Sequence, residues 1–121
     1  MFMYKFEWNY ENPIQNEAEF KEKVNIIATE CIGWNFEIMA RLWYQEDDGQ
    51  KPIMIELAAP TKECLDMCGR DEPIWLDAYE VNTMEDYDCS NSCDNASVPN
   101  ITFGEVESVM LEYAKRIYTE E

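Results

Sequence analysis

The chain contains no histidine among its 121 residues. This absence excludes a Ser-His or Cys-His nucleophile pair, a histidine general base and a histidine metal ligand. The 4 glycines, at positions 33, 49, 69 and 104, are isolated, so neither a Gly-x-Gly-x-x-Gly nor a P-loop pattern is present. Carboxylates are abundant, but abundance alone does not identify an acid/base pair. We therefore expect a protein that is not an enzyme.

Long apolar runs are also missing. The opening stretch "MFMYKFEWNY" is interrupted by Lys5 and Glu7, unlike a secretory signal, and no stretch approaches the length of a membrane span. We expect a cytoplasmic protein that does not bind membranes.

Basic residues are few. Lys and Arg number 9 against 26 Asp and Glu, which gives a formal net charge of −17. Such a charge disfavours direct binding to nucleic acid or to an anionic membrane, and its natural partner is a basic surface. From residue 71 to residue 114 there is no Lys or Arg, so the second half of the chain carries most of the negative field.

Apolar residues make up 46% of the chain, enough for one domain spanning residues 1–121 with its own core. Alternation predicts strands over residues 2–10, 34–44, 53–57 and 74–81, with a hairpin turn at Asp48-Gly49. Capping boxes at Asn16/Glu19 and Thr102/Glu105 predict the starts of two main helices, the first ending near Gly33. Thr61 to Gly69 suits a short helix. We therefore predict an α+β fold, an antiparallel sheet of about four strands with two main helices packed on one face.

Residues 82–100 show no periodicity and are rich in Asp, Asn, Ser and Cys, which predicts a long acidic loop that contains cysteines. Loops of this length in compact domains are commonly binding sites, clipped by cross-links, or mobile.

The cysteines support a second hypothesis. Two Cys-x3-Cys pairs, Cys64 with Cys68 and Cys89 with Cys93, could supply the four thiolates of a tetrahedral zinc site if the short helix meets the loop. Disulfides, which are rare in a reducing compartment, and unliganded thiols are the other interpretations.

An EF-hand-like calcium loop is a weaker interpretation of the same segment. Oxygen side chains occur at every second position, at Asp86, Asp88, Ser90, Ser92 and Asp94. However, Asn91 stands where the turn glycine belongs, and Ser97 stands where the bidentate glutamate belongs.

The acidic residues suggest a face that imitates nucleic acid. Duplex DNA presents one charge per roughly 1.7 Å of axis, and a protein with carboxylates at comparable density could occupy a basic channel. The predicted partner-binding charges are Asp71, Glu72, Asp77, Glu80, Glu85, Asp86, Asp88 and Asp94, with Trp75, Tyr79 and Tyr87 as apolar anchors. The alternative is a solvated acidic surface that serves solubility.

Size, the α+β layout, net charge and the basic-free stretch "DEPIWLDAYEVNTMEDYDCSNSCDNASVPNITFGEVE" give a resemblance to a known group. The chain resembles the small acidic inhibitors of phages and bacteria, namely anti-CRISPR and other nucleic-acid-mimic proteins, and immunity proteins of nuclease toxins. The similarity is one of composition over the whole chain, without a shared motif. It implies stoichiometric inhibition of a target with a basic nucleic-acid-binding or active-site surface.

These observations predict a non-enzymatic acidic protein that inhibits a nuclease or nucleic-acid-binding complex, such as a CRISPR effector, by covering its basic surface. No cofactor is expected under this hypothesis. The alternative is a small four-cysteine zinc module that acts as a scaffold or adaptor.

Overall fold

The computed structural model describes residues 2–30, 36–68 and 74–120. Its strands and helices, in chain order, are β1 (Met3–Trp8), α1 (Glu17–Glu30), β2 (Phe36–Gln45), β3 (Ile53–Pro60), α2 (Lys62–Cys68), β4 (Trp75–Glu80), β5 (Ser92–Ser97) and α3 (Val106–Glu120). A single 3-10 turn, Phe103–Glu105, leads into α3. Within the described part of the chain, no helix is long and apolar enough to cross a membrane.

The strands form one antiparallel sheet in the order β1-β2-β3-β4-β5, so each strand pairs with its neighbours in sequence. The predicted α+β class with an antiparallel sheet is confirmed. The predicted number of strands, about four, was too low, because the sheet has five. The short helix predicted after Thr61 is present as α2, and the predicted helix ends at Gly33 and Gly69 lie outside the described residues.

The prediction of an unbroken loop over residues 82–100 was wrong, because this segment contains β5. The sequence of β5, "SCDNAS", has no β-branched or aromatic residue and would not be expected to form a strand by itself. The strand forms because the backbone of β4 offers hydrogen-bonding partners along its edge, with Asp77 opposite Asn95 and Leu76 opposite Ala96. Here tertiary pairing overrides intrinsic preference.

One side of the sheet, which we call the helix face, packs against α1 and α3. Leu42 of β2 and Ile55 and Leu57 of β3 are fully buried there with Phe20 of α1 and Met110 of α3. The helix start predicted at Asn16 is confirmed, because the Asn16 side chain accepts from the Glu19 N–H at 2.9 Å. Glu19 in turn accepts from the Gln15 N–H at 2.8 Å, one residue before the N–H of the capping residue that a capping box would use.

The opposite side, which we call the outer face, also buries apolar groups. One cluster joins Trp43, Met54 and Val81, and another joins Ala58 and Trp75 with Cys64 of α2. This explains why β4 is apolar on both of its sides: neither face of the sheet is left bare.

The phenol of Tyr44 should make the stability of the fold sensitive to alkaline pH. Tyr44 is 2% exposed and meets Tyr118 of α3 edge-on, with ring centroids 5.5 Å apart. Burial, assisted by a hydrogen bond to Glu46, raises the pKa of Tyr44 from 10.0 to about 12. A raised pKa in the folded state means that stability is fully present below pH 10 and is lost as the pH rises towards 12.

We expect the free energy of unfolding in urea to fall between pH 10 and 12, by up to about 1.4 kcal/mol per pH unit for this group. Tyr44→Phe should flatten that decline. Equal stability of the wild-type protein at pH 8 and pH 11 would contradict the assignment.

Candidate functional site

A row of polar side chains crosses all five strands on the outer face. The strand register places Arg41 opposite Glu7 and Glu56, and Asp77 opposite Glu56 and Asn95. At its centre the Arg41 Nε donates to Glu56 Oε2 at 3.0 Å, and Glu56 is only 3% exposed. Removal of one partner from such a buried pair typically costs about 3–5 kcal/mol, because the other charge stays buried and unpaired.

Arg41 also connects the sheet to the chain that passes over it. Its Nη1 donates to Asn9 Oδ1 at 3.0 Å, and its guanidinium carbon lies 4.9 Å from the centroid of the Tyr87 ring. One side chain therefore joins β2, the residue that follows β1, and the segment after β4.

That segment, residues 82–91, is called the acidic segment below. It lies against the outer face through Trp43, whose fully buried indole Nε1 donates to the backbone carbonyl of Asp86 at 2.8 Å. The Tyr87 ring meets Trp43 edge-on at 5.2 Å, and its hydroxyl donates to Glu7 Oε1 at 2.8 Å. Lys5 Nζ pairs with Glu85 Oε1 at 2.9 Å. Two outer-face side chains of β1, Lys5 and Glu7, are thus tied to the segment.

The acidic segment is further ordered by its own carboxylates. Asp86 accepts from the N–H groups of Asn82 and Asp88, both at 3.1 Å, and Asp88 accepts from the Ser90 N–H at 2.9 Å. The hydrogen bonds from Ser90 lower the pKa of Asp88. These are the local side-chain to backbone bonds that Asp favours in turns. They hold the two carboxylates in a fixed orientation.

The structure brings part of the predicted partner-binding set together. Glu85, Asp86, Asp88 and Tyr87 belong to the acidic segment, and Asp77 and Tyr79 lie on the outer face beneath and beside it. Trp75 is 6% exposed, packs against Phe36, and donates its indole N–H to Asp77 Oδ2 at 3.1 Å. Trp75, predicted as an apolar anchor, is a buried member of the outer-face cluster with Ala58 and Cys64.

The other predicted charges lie elsewhere. Asp94 accepts from the Tyr113 hydroxyl at 3.0 Å and lies 3.6 Å from the Arg116 guanidinium, so it faces α3. Glu80 lies 3.9 Å from Lys51. Asp71 and Glu72 are outside the described residues. The predicted set therefore does not form one continuous face, because successive side chains of a strand point to opposite sides of the sheet.

The thiols occupy different environments. Cys64 is buried against Ala58 and Trp75, whereas Cys89 Sγ lies 3.6 Å from Glu56 Oε1 and Cys93 Sγ lies 3.7 Å from the Asn91 carbonyl oxygen. Across residues 2–30, 36–68 and 74–120, no three His, Cys, Asp or Glu side chains form a group that could hold a metal ion. The side chain of Cys68 is not described, so the zinc site that includes it stays a prediction.

A calcium loop is not supported by this arrangement. Asp86 and Asp88 direct their oxygens to backbone N–H groups of the acidic segment, whereas Ser92 and Asp94 belong to β5. The alternating oxygen side chains therefore fall in two different kinds of structure.

Arg41, Glu56 and Trp43 were missed by the sequence-based site prediction. A signal for the first two was available: Glu56 is the one charged residue of β3, Arg41 stands between apolar neighbours in β2, and the two charges are opposite. The Trp43 bond to a backbone carbonyl of the acidic segment leaves no such signal, because a carbonyl is common to every residue.

A cleft of about 450 Å³ lies away from this site, between α1 and the connection from Pro99 to Thr102. Its walls are mainly apolar and include Phe20, Val24 and Ile101, and none of the predicted partner-binding acids lines it. The acidic segment remains the site at which the predicted charges meet.

The chain matches no protein-family model, and no curated protein or solved structure is detectably similar to it. The geometry of the outer face is therefore what guides the assignment of function.

We expect the thiol of Cys89 to react slowly with alkylating agents, in part because the Glu56 carboxylate lies close to it. Burial first, and the nearby Glu56 carboxylate second, raise the pKa of Cys89 from 9.0 to about 11. Only the thiolate is alkylated, so at pH 8 Cys89 should react roughly a hundredfold more slowly than an unperturbed cysteine. The measurement is the pH dependence of iodoacetamide labelling in a Cys93→Ser background, resolved by mass spectrometry.

Glu56→Gln should move the labelling midpoint of Cys89 to lower pH, whereas the matched surface variant Glu22→Gln should leave it unchanged. A midpoint near that of a free cysteine, with no response to Glu56→Gln, would contradict the described contact.

Proposed function

We propose that the protein is a non-enzymatic acidic binding protein that inhibits a nucleic-acid-handling protein by occupying its basic nucleic-acid-binding surface. The observation that carries this proposal is the acidic segment, which holds the carboxylates of Glu85, Asp86 and Asp88 on the outer face of a chain whose net charge is −17.

The distribution of ion pairs supports a strongly negative surface. Seven ion pairs occur among the described residues, and they engage most of the basic side chains: Lys5, Lys21, Lys23, Arg41, Lys51, Lys115 and Arg116. Because acids outnumber bases by 26 to 9, most carboxylates in the described part of the chain are left without a basic partner. The field outside the molecule is therefore negative, which favours and accelerates the approach of a basic protein.

Fixed carboxylates are better phosphate substitutes than mobile ones. A flexible acidic tail would lose conformational freedom on binding, and this loss would reduce its affinity. Asp86 and Asp88 are already oriented by hydrogen bonds to backbone N–H groups, so binding would require little further ordering of this part of the surface.

Tyr87 offers an apolar contact among these charges. Its side chain is 51% exposed although its ring rests on Trp43 and its hydroxyl bonds Glu7. Rigid tyrosines that are partly exposed are common energetic centres of protein interfaces. We infer that Tyr87 provides apolar contact at a site where the surrounding acids provide orientation.

The proposal can be tested with variants that remove charge and keep hydrogen-bond acceptors. Glu85→Gln, Asp86→Asn and Asp88→Asn together remove three charges. Asp88→Asn can still accept the Ser90 N–H, and Asp86→Asn can keep one of the two backbone N–H bonds that Asp86 accepts. The matched control, Glu11→Gln with Glu22→Gln and Glu30→Gln, removes three charges from exposed positions outside the acidic segment. Each tagged protein is used to capture partners from lysate of the source organism or its host, at low and at high salt, and urea unfolding checks the fold.

We expect the wild-type protein and the control to retain a basic nuclease or nucleic-acid-binding complex at low salt, and high salt to release it. The variant of the acidic segment should retain at least tenfold less, because its loss of charge is local to the contact. Equal capture by both variants would show that only bulk charge matters, and capture of no basic protein would overturn the proposed function.

A further inference from the structure

The open edge of β1 is a second surface that could bind a partner. β1 is the first strand in the sheet order, and Phe2, Met3 and Tyr4 at its start are 50%, 40% and 39% exposed. An edge strand with exposed apolar residues is a template for pairing with another strand. The question is which strand fits it.

The backbone of β1 determines which residues can pair outward. The Asn9 N–H donates to the Met39 carbonyl at 2.9 Å, which extends the ladder to β2 beyond Trp8. Because hydrogen-bonded pairs alternate in an antiparallel ladder, the odd residues Lys5 and Glu7 bond to β2. The N–H and C=O groups of the even residues Tyr4, Phe6 and Trp8 therefore point to the open edge.

The side chains of β1 are complementary to β1 itself. If two copies pair antiparallel with Phe6 opposite Phe6, then Lys5 of each copy lies opposite Glu7 of the other. In the same register Tyr4 lies opposite Trp8, so the helix faces of the two copies would share a ladder of aromatic pairs.

The charges select this register over its neighbours. An alternative register must also place the outward-pointing N–H and C=O groups of the even residues opposite each other. The nearest two such registers are centred on Lys5 and on Glu7, so they place Lys5 opposite Lys5 or Glu7 opposite Glu7. Like charges directly opposite each other are destabilising, and the register centred on Glu7 also pairs fewer residues of β1.

We propose that β1 pairs with β1 of a second copy of this chain, in the register centred on Phe6, to form one continuous sheet across a two-fold axis. The occupant is a second copy because the Lys5/Glu7 pattern is self-complementary about Phe6. The exposed Lys5 side chain, 42% accessible, can reach Glu7 of the second copy beside its own Glu85. The proposal does not depend on the proposed function.

The geometry also limits repulsion between two acidic chains. The axis lies at β1, so the acids of β5 at the opposite edge of the sheet are largely screened, because charges more than about 8 Å apart interact weakly at physiological salt. Glu85 of the acidic segment lies close to the axis, where it is paired with Lys5. Lys115, whose Nζ lies 5.5 Å from the Phe2 ring centroid, adds positive charge close to the pairing edge.

The first test is the mass of the full chain in solution at physiological salt, by analytical ultracentrifugation over a wide range of concentration. The expected mass rises from 14.3 kDa towards twice that value. Lys5→Glu and Glu7→Lys should each weaken dimerisation at least tenfold, because each places like charges opposite each other. The double variant Lys5→Glu/Glu7→Lys should restore it, because the swapped charges are again complementary.

Amide hydrogen exchange gives a second readout that a general change of stability would not reproduce. The N–H groups of Tyr4, Phe6 and Trp8 should exchange quickly in dilute protein and become protected in concentrated protein, whereas those of Lys5 and Glu7 should be protected in both. A monomer at every concentration would overturn the proposal. So would a dimer that is insensitive to the single charge reversals, or one that the charge swap fails to restore.

Discussion

The buried indole of Trp43 is the constraint on which the outer face depends. An indole N–H without an acceptor in the interior would cost on the order of 1–3 kcal/mol, and the carbonyl of Asp86 satisfies it at 2.8 Å. This bond fixes the middle of the acidic segment over β2. The contacts of Tyr87 with Trp43, Arg41 and Glu7 then follow from its position as the next residue.

The fold combines a large negative charge with a compact structure because the apolar side chains are buried and most of the carboxylates lie at the surface. The helix face is an apolar core with α1 and α3, and the outer face buries the ion pair of Arg41 with Glu56 between apolar clusters. Most basic side chains in the described part of the chain form ion pairs within it, and most of its carboxylates are exposed. Self-repulsion therefore acts mainly between exposed groups, where salt screens it.

Much of the fold could be predicted because its elements have local signals. The capping residue Asn16 and the alternation in β2 and β3 follow from period and turn chemistry, and the symmetric turn at Asp48-Gly49 would also have placed Arg41 opposite Glu56. β5 could not be found in this way, because "SCDNAS" owes its conformation to the edge of β4. Asp77 and Asp94 lie on opposite faces of the sheet, and this arrangement also depends on the pairing of β5 with β4.

The sequence predicted which residues belong to the candidate site better than it predicted how they are arranged in space. The acidic segment was identified from its lack of basic residues, but its attachment to Trp43 and Arg41 depends on contacts between residues more than 40 positions apart. Trp75, which the sequence predicted as an apolar anchor, is buried beside Ala58 and Cys64, and this burial depends on the packing of α2 against the sheet.

The most direct measurement of whether the carboxylates are held in place is the backbone order parameter of residues 82–91, from ¹⁵N relaxation of the free protein. If Trp43 and the turn hydrogen bonds fix the acidic segment, its order parameters should match those of the strands, about 0.85. Values below about 0.6 over Glu85 to Asp88 would mean that the carboxylates move freely, and would contradict the idea of a rigid acidic surface.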